Sequence, residues 1–320
     1  MAESTVATAP FLPAERRTDE ALEFPGCRPV RIPRDQIDVG DIRLEYWDAD
    51  TEIAMICEPV SYYHERPASR LASLARLIAA ARGAPIEAVG HTDLLVRNAR
   101  GERQRIMQAD QILFLRPAQT KPAGNAVEVG TDALPDVVLE VDNTTDVRRN
   151  KLKRYESWGF PEVWVEVPDE PAPSRPASLR PGLTIYLRDG GLRPAAASRA
   201  FPDWTAEEIH RALNEPELSA ATTAVLRRVG RALGATDGTG PDDDPFLREE
   251  RGESHAHGLA KGRVEAARAA VLEVFAARGI AVSASLPQRL AELDGVTVEA
   301  LVRAAVTCRD EGDFLRLAQE

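Results

Sequence analysis

Hydrophobic positions recur every two residues in some stretches of this chain and every three to four in others, and the order of those stretches predicts its elements. Residues 42–56, with the run RLEYWDADTEIAMI, read as a hairpin that turns over Asp48–Asp50 and carries Glu45 inside its first strand. Residues 68–82 space Leu71, Leu74, Leu77, Ile78 and Ala81 at helical intervals, with Pro67 near the first turn and Gly83 and Pro85 as the stop. Strands over 86–97 and 105–116 follow, joined by an Asn/Gly turn at 98–101, and then a Pro/Gly-punctuated loop over 117–131. A strand ending in PDVVLEVDN, a helix over 146–158 and a strand over 162–167 come next, and a terminal hairpin over 183–191 closes the pattern. This succession predicts an α/β core with a mixed sheet flanked by helices.

Beyond Trp204 the period becomes helical throughout. Helices are predicted over 206–213 and 217–233, a Gly/Asp/Pro-rich linker over 234–258, and an all-helical C-terminal module over 259–320. Its Ala-rich faces suit packing against another helix, in the chain or in a second copy, so a homodimer through these helices is one expectation. Residues 1–27 read as a flexible leader, 28–200 as the α/β domain and 201–233 as a separate helical segment.

Chemistry concentrates in the strand–helix–strand unit. Alternation places Val137, Leu139 and Val141 on one strand face and Asp136, Val138, Glu140 and Asp142 on the other. Glu140 and Asp142 are then about 6.6 Å apart and can share a site, whereas Asp136 and Glu140 are about 13 Å apart. On the helix, Val147, Lys151, Tyr155 and Trp158 form one stripe. Lys151 there is either a stem with a solvated head or an amine aimed at Glu140 beneath it. Asp110, between Met107 and Leu115, is an edge-strand charge or is paired or metal-bound, because an unpaired buried carboxylate is costly.

Composition narrows the function classes. The formal charge of -11 argues against a protein that coats nucleic acid non-specifically. Two basic clusters, Arg97/Arg100/Arg103/Arg105 and 148–154, read equally as solvated faces or as a phosphate path. Aromatic residues at 5% disfavour extensive base stacking. Cys27, Cys57 and Cys308 are scattered, in no CxxC arrangement, which favours free thiols in a reducing cytoplasm. No zinc set is apparent, and Asp242–Asp244 lack the spacing of a calcium loop. Neither a signal peptide nor a membrane-length apolar run is visible, so a cytoplasmic location is expected.

The motif order over residues 35–194 resembles the Uma-type restriction-endonuclease-like proteins, a bacterial group of the PD-(D/E)XK nuclease superfamily. The resemblance rests on LEYWDAD with Glu45, His64 before the first long helix, Gln108-Ala109-Asp110-Gln111, the strand 135–143, the Lys151…Tyr155 helix and GFPEVWVEVP. It implies a restriction-endonuclease-like fold and divalent-metal-dependent hydrolysis of DNA, with RNA left open as substrate. Asp110 and Glu140 are implied to hold the cation, magnesium for preference, Glu45 to assist, and Lys151 to replace the lysine that usually follows the strand acid by two residues. Two departures stand out: Ala109 occupies the proline position, and Asp142 occupies that lysine position, as a further metal ligand or as the mark of an altered site. The alternative is a catalytically silent nuclease fold serving as a nucleic-acid-binding or oligomerisation adaptor.

Overall fold

The computed structural model describes residues 24, 27–37, 44–57, 62–120, 122, 124–142, 151–171, 175, 179–291 and 296–318. The chain forms two compact units, residues 1–244 and 245–320.

The first unit is a mixed sheet with helices against it, as the alternation predicted. Its strands are β1 (Cys27–Arg31), β2 (Tyr46–Asp48), β3 (Ile53–Cys57), β4 (Glu87–Arg97), β5 (Arg103–Phe114), β6 (Val127–Glu128), β7 (Val137–Val141), β8 (Glu162–Val167), β9 (Gly182–Arg188) and β10 (Leu192–Ala195). The order is β1-β3-β2-β5-β7-β8-β9-β10, with β4 on the other edge of β5 and β6 beside β4. Besides a single turn at Pro117–Thr120, the helices are α1 (Tyr62–Arg82), α2 (Lys151–Trp158), α3 (Ala206–Asn214) and α4 (Ala220–Asp237).

One feature of this topology creates the candidate site. β4 follows β5 along nearly its whole length, but the opposite edge of β5 is shared: β2 takes Arg105, Ile106 and Met107, and β7 takes Gln111, Ile112 and Leu113. Residues 108–110 therefore face a notch between two strand neighbours, where main-chain groups need partners from outside the ladder.

The larger core lies between the sheet and α1, α3 and α4. Leu71, Leu74 and Ile78 of α1, Leu113 of β5, Leu139 and Val141 of β7, and Trp164 of β8 meet Phe201, Trp204, Ile209, Leu226 and Val229. Trp164, Phe201 and Trp204 form a triangle of rings with centroids 5.5–5.8 Å apart. The helices over 206–237 thus belong to the same core as the sheet, not to a separate segment from 201. The helical period identified them but could not show what their apolar faces cover. A second core holds Met107, Ile112, Phe114, Val138, Tyr155, Phe160, Val163 and Val165.

Other boundaries move as well. Helix α1 starts six residues before the expected 68, with Pro67 buried inside it. The leader does not extend to 27, since β1 begins at Cys27 and Phe24 stacks on Tyr46 at 5.4 Å. Glu45 precedes β2, although its amide still donates to the Met55 carbonyl at 2.8 Å. Residues 143–150, which include the expected helix start and part of the second basic cluster, lie outside the described residues. The expected linker over 234–258 is overturned. Helix α4 runs to Asp237, a short turn follows at Pro241–Asp243, and α5 (Pro245–Arg278) begins at once, because Pro suits a first helical turn and the polar run after it has good helix formers.

The second unit comprises α5, α6 (Leu286–Ala291), α7 (Val298–Thr307) and α8 (Glu311–Leu317), packed around Val271, Phe275, Leu286, Leu301, Ala305 and Phe314. Thr297 and Asp310 cap α7 and α8 through their side-chain oxygens. The expectation of free thiols holds for Cys308, buried here, but fails for Cys27, which is disulfide-bonded. Sequence spacing is blind to topology, so cysteine usage no longer argues for a reducing compartment. No helix among the described residues is long and apolar enough to cross a membrane.

Helices α1 and α4 approach closely at Gly230, where an added Cβ would lie 2.6 Å from both the Ala81 Cβ and the Ile78 carbonyl. Gly230→Ala should therefore destabilise the protein by about 1–3 kcal/mol, read as a fall in the denaturant midpoint at unchanged m-value. Gly258→Ala in α5, with nothing within 4 Å of the added methyl, should stabilise or leave the protein unchanged.

Candidate active site

Lys151 fills the notch. The residue is 3% exposed, and its Nζ lies 2.7 Å from Glu140 Oε2, 2.5 Å from Glu45 Oε2 and 2.8 Å from the Gln108 carbonyl. The ammonium thus supplies the hydrogen bond that the split sheet edge withholds from Gln108. It also bridges an acid at the head of β2 to an acid of β7. Helix α2 can deliver it because Gly159, at φ 92, stops the helix, and the amides of Gly159 and Phe160 fold back onto the Tyr155 carbonyl.

Tyr155, one turn on from Lys151, is fully buried and its hydroxyl donates to Glu140 Oε1. Asp110 stands across from Glu140 when the β5–β7 register is extended by one step, and its Oδ2 accepts the Val141 amide at 2.8 Å. His64, from the first turn of α1, places Nε2 3.7 Å from the same Asp110 oxygen. Asp142 is buried, its amide donating to the Glu166 carbonyl at 2.8 Å. Asp136 is remote from this chemistry, its Oδ2 accepting the Leu115 amide at 2.7 Å.

The structure therefore brings Glu45, Asp110, Glu140 and Lys151 together. Tyr155 and His64 join them, residues to which the sequence reading gave no chemical role. The readable signal for Tyr155 was its i+4 spacing from Lys151 above an acidic strand. For His64 no spacing rule connects a helix start to a strand some 46 residues later. Of the first basic cluster, Arg97 pairs with Glu128 at 2.7 Å, Arg105 with Asp48 at 3.0 Å, and Arg103 donates to the Ile37 carbonyl. These contacts favour local structure over an open phosphate path. Arg154 of the second cluster lies over the Tyr46 ring, 3.6 Å from its centroid.

Electrostatics in the notch are unbalanced. Burial pushes the Glu140 carboxyl well above its ordinary value; Lys151 pulls it down, but Asp110 and Glu45 add to the rise. Burial alone would lower the Lys151 ammonium, yet the charges of Glu140, Glu45 and Asp110 outweigh it and hold the amine protonated. Tyr155 is raised by burial and by Glu140 beside it, and stays a hydrogen-bond donor. Among the described residues, no three His, Cys, Asp or Glu side chains are gathered into a ready-made cation cage. The donor chemistry of Asp110 and Glu140, hard carboxylate oxygens with Glu45 close by, nevertheless fits a magnesium-like ion.

Comparison with known proteins adds little to this geometry. No protein-family model matches the chain, and no curated protein matches by sequence. Among solved structures, the chain is similar to a candidate nuclease belonging to DUF820 from Anabaena variabilis, with 12% identity over 61% of this chain and 99% of that one and a TM-score of 0.36.

The raised Glu140 carboxyl has a definite pH consequence. Between its ordinary value of 4.5 and its folded value the native state binds more protons than the unfolded one, so stability falls as pH rises through that window. Glu140→Gln should flatten this dependence, so that the variant loses less melting temperature than the wild type as pH rises from 4 to 8. Parallel melting curves for the two proteins would show a difference that changes with pH; a constant difference would contradict the raised carboxyl.

Proposed function

We propose that this chain is a divalent-metal-dependent endonuclease that hydrolyses phosphodiester bonds in DNA, within the PD-(D/E)XK superfamily and near its Uma-type group. One observation carries the reading: a buried lysine from the covering helix meets acids from separate strands at a break in the sheet. A structural ion pair needs one acid, whereas this amine has Glu45, Glu140 and Asp110 around it.

In this reading Asp110 and Glu140 hold the cation, with Asp142, two residues beyond Glu140, as a further ligand. The bound ion supplies Lewis-acid polarisation of the scissile phosphate and a more acidic water. Glu45 holds the Lys151 ammonium in place, and that ammonium offsets negative charge developing on the phosphate. Tyr155, donating to Glu140 Oε1, fixes the orientation of that carboxylate. The overall acidity of the protein leaves DNA affinity to local contacts, and RNA stays open as a substrate. Concerted cleavage of both strands uses two active sites, which pairing of two copies through the second unit would supply.

With magnesium or manganese, the purified protein should nick supercoiled plasmid. Asp110→Asn, Glu140→Gln and Lys151→Met should each lower kcat by about 100-fold or more while retaining the native circular dichroism spectrum, with a smaller loss for Glu45→Gln. A second reading, a silent adaptor, draws on the fact that the Lys151 ammonium already satisfies Glu45 and Glu140 without a cation. Thermal melts decide between them. An ion at about 100 times its Kd should stabilise the wild type by about 2.7 kcal/mol and Asp110→Asn by much less, whereas the adaptor should show no cation-dependent shift.

A further inference from the structure

We infer that the cavity on the outer side of β4 and β5 is a nucleobase pocket, which receives one unstacked base of the substrate strand beside the scissile phosphate. This inference rests on the proposed nuclease reading for its substrate class. The cavity measures about 310 Å³, and its walls include Val89, His91, Ile112, Phe114, Pro122 and Asn125. That volume suits a single ring system with its sugar, and the walls combine apolar contact with a few hydrogen-bonding groups, the composition expected of a small-ligand site.

Its position ties it to the acids. Ile112 of the cavity wall is two residues from Asp110, about 6.6 Å along the strand, close to the spacing of successive nucleotides. A continuous set of polar contacts spans the same interval. His64 Nε2 lies 3.7 Å from Asp110 Oδ2, its Nδ1 lies 3.6 Å from Glu65 Oε1, and Glu65 Oε2 lies 3.2 Å from His91 Nε2 on the cavity wall. His91 adopts a left-handed φ of 49, between Gly90 paired with Gln111 and Thr92 paired with Ala109, and so stands across β4–β5 from Asp110 itself. That conformation is uncommon for a residue other than glycine and turns the strand at the border between cavity and acids.

A phosphate at Asp110 and Glu140 thus has a nucleoside-sized recess one nucleotide away. A base inside a duplex cannot enter such a recess without leaving its stack, so the favoured substrate is single-stranded, mismatched or readily unpaired.

Val89, 38% exposed and outside the acid cluster, offers the test, because Val89→Trp fills the cavity from its rim with a residue that strands accept. In magnesium buffer, wild type should bind the four deoxynucleoside 5′-monophosphates about tenfold or more tightly than deoxyribose 5-phosphate by calorimetry. Val89→Trp, with Val89→Phe as a smaller filling variant checked by melting, should erase that difference. Equal binding of the baseless phosphate by wild type, or discrimination that survives in a folded filling variant, would overturn the pocket. Plasmid cleavage is scored separately. Discrimination without cleavage would retire the nuclease reading and leave the pocket, and cleavage without discrimination would retire the pocket alone.

Discussion

A buried ammonium in a gap of the sheet is the constraint around which the first unit is organised. Removing an ion from water costs several kcal/mol even after the protein relaxes, so Lys151 is tolerable only if its hydrogen bonds and its charge are both met at once. The split edge of β5 supplies the carbonyl of Gln108, the head of β2 supplies Glu45, and β7 supplies Glu140. None of these groups is local to the others in sequence. Their convergence requires β2 and β7 to share one edge of β5, and it requires α2 to lie across the place where they part.

The same geometry leaves the charges of the cluster unequal. One ammonium stands against Glu45, Asp110 and Glu140, and the last is raised chiefly by its own burial. Apolar packing of the same volume is often more stable than a buried ion pair, so the surroundings must carry the cost of this one. The imbalance is sustained by well-packed surroundings: the Trp164–Phe201–Trp204 ring triangle on one side of the sheet, and Tyr155 edge-on to Phe160 at 4.9 Å on the other.

How much of this was legible in the sequence follows from how local each signal is. The 162–167 strand is read with its observed ends because Gly159 and Pro161 punctuate it and Val163, Val165 and Val167 within it are β-branched. The stripe that carries Lys151 over the acidic strand was legible, but helical spacing left open whether the amine turns to solvent or to Glu140. Glu45 needed the resemblance, as nothing local distinguishes it from the other acids of its hairpin. Tyr155, His64 and the disulfide of Cys27 depend on topology. The role of residues 206–237 as the cover of the sheet was hidden for the same reason: an amphipathic helix declares that it has a partner, not which one. The false linker arose because Gly and Asp near 234–244 were allowed to speak for the polar residues after Pro245.

The opposite side of β8 shows what buried acids look like when their work is architectural. Glu162 accepts the Trp164 indole at 2.6 Å and the amides of Arg199 and Ala200 at 3.0 and 2.9 Å, donors fixed by the chain itself. Glu166, raised by burial, is bound by His210 at 2.8 Å and by the Asn214 amide at 2.7 Å, and this contact raises His210 in turn. The His210 imidazole also lies 3.1 Å from Asp169 Oδ1, and together these contacts tie α3 and its approach to the sheet. Glu140, one strand away, has instead a lysine and a tyrosine, both from side chains that can change partner without breaking the backbone ladder. Glu162 is thus held largely by main-chain amides, whereas the two donors to Glu140 are side chains of one helix, so that a single turn of α2 governs the charge and orientation of that carboxylate.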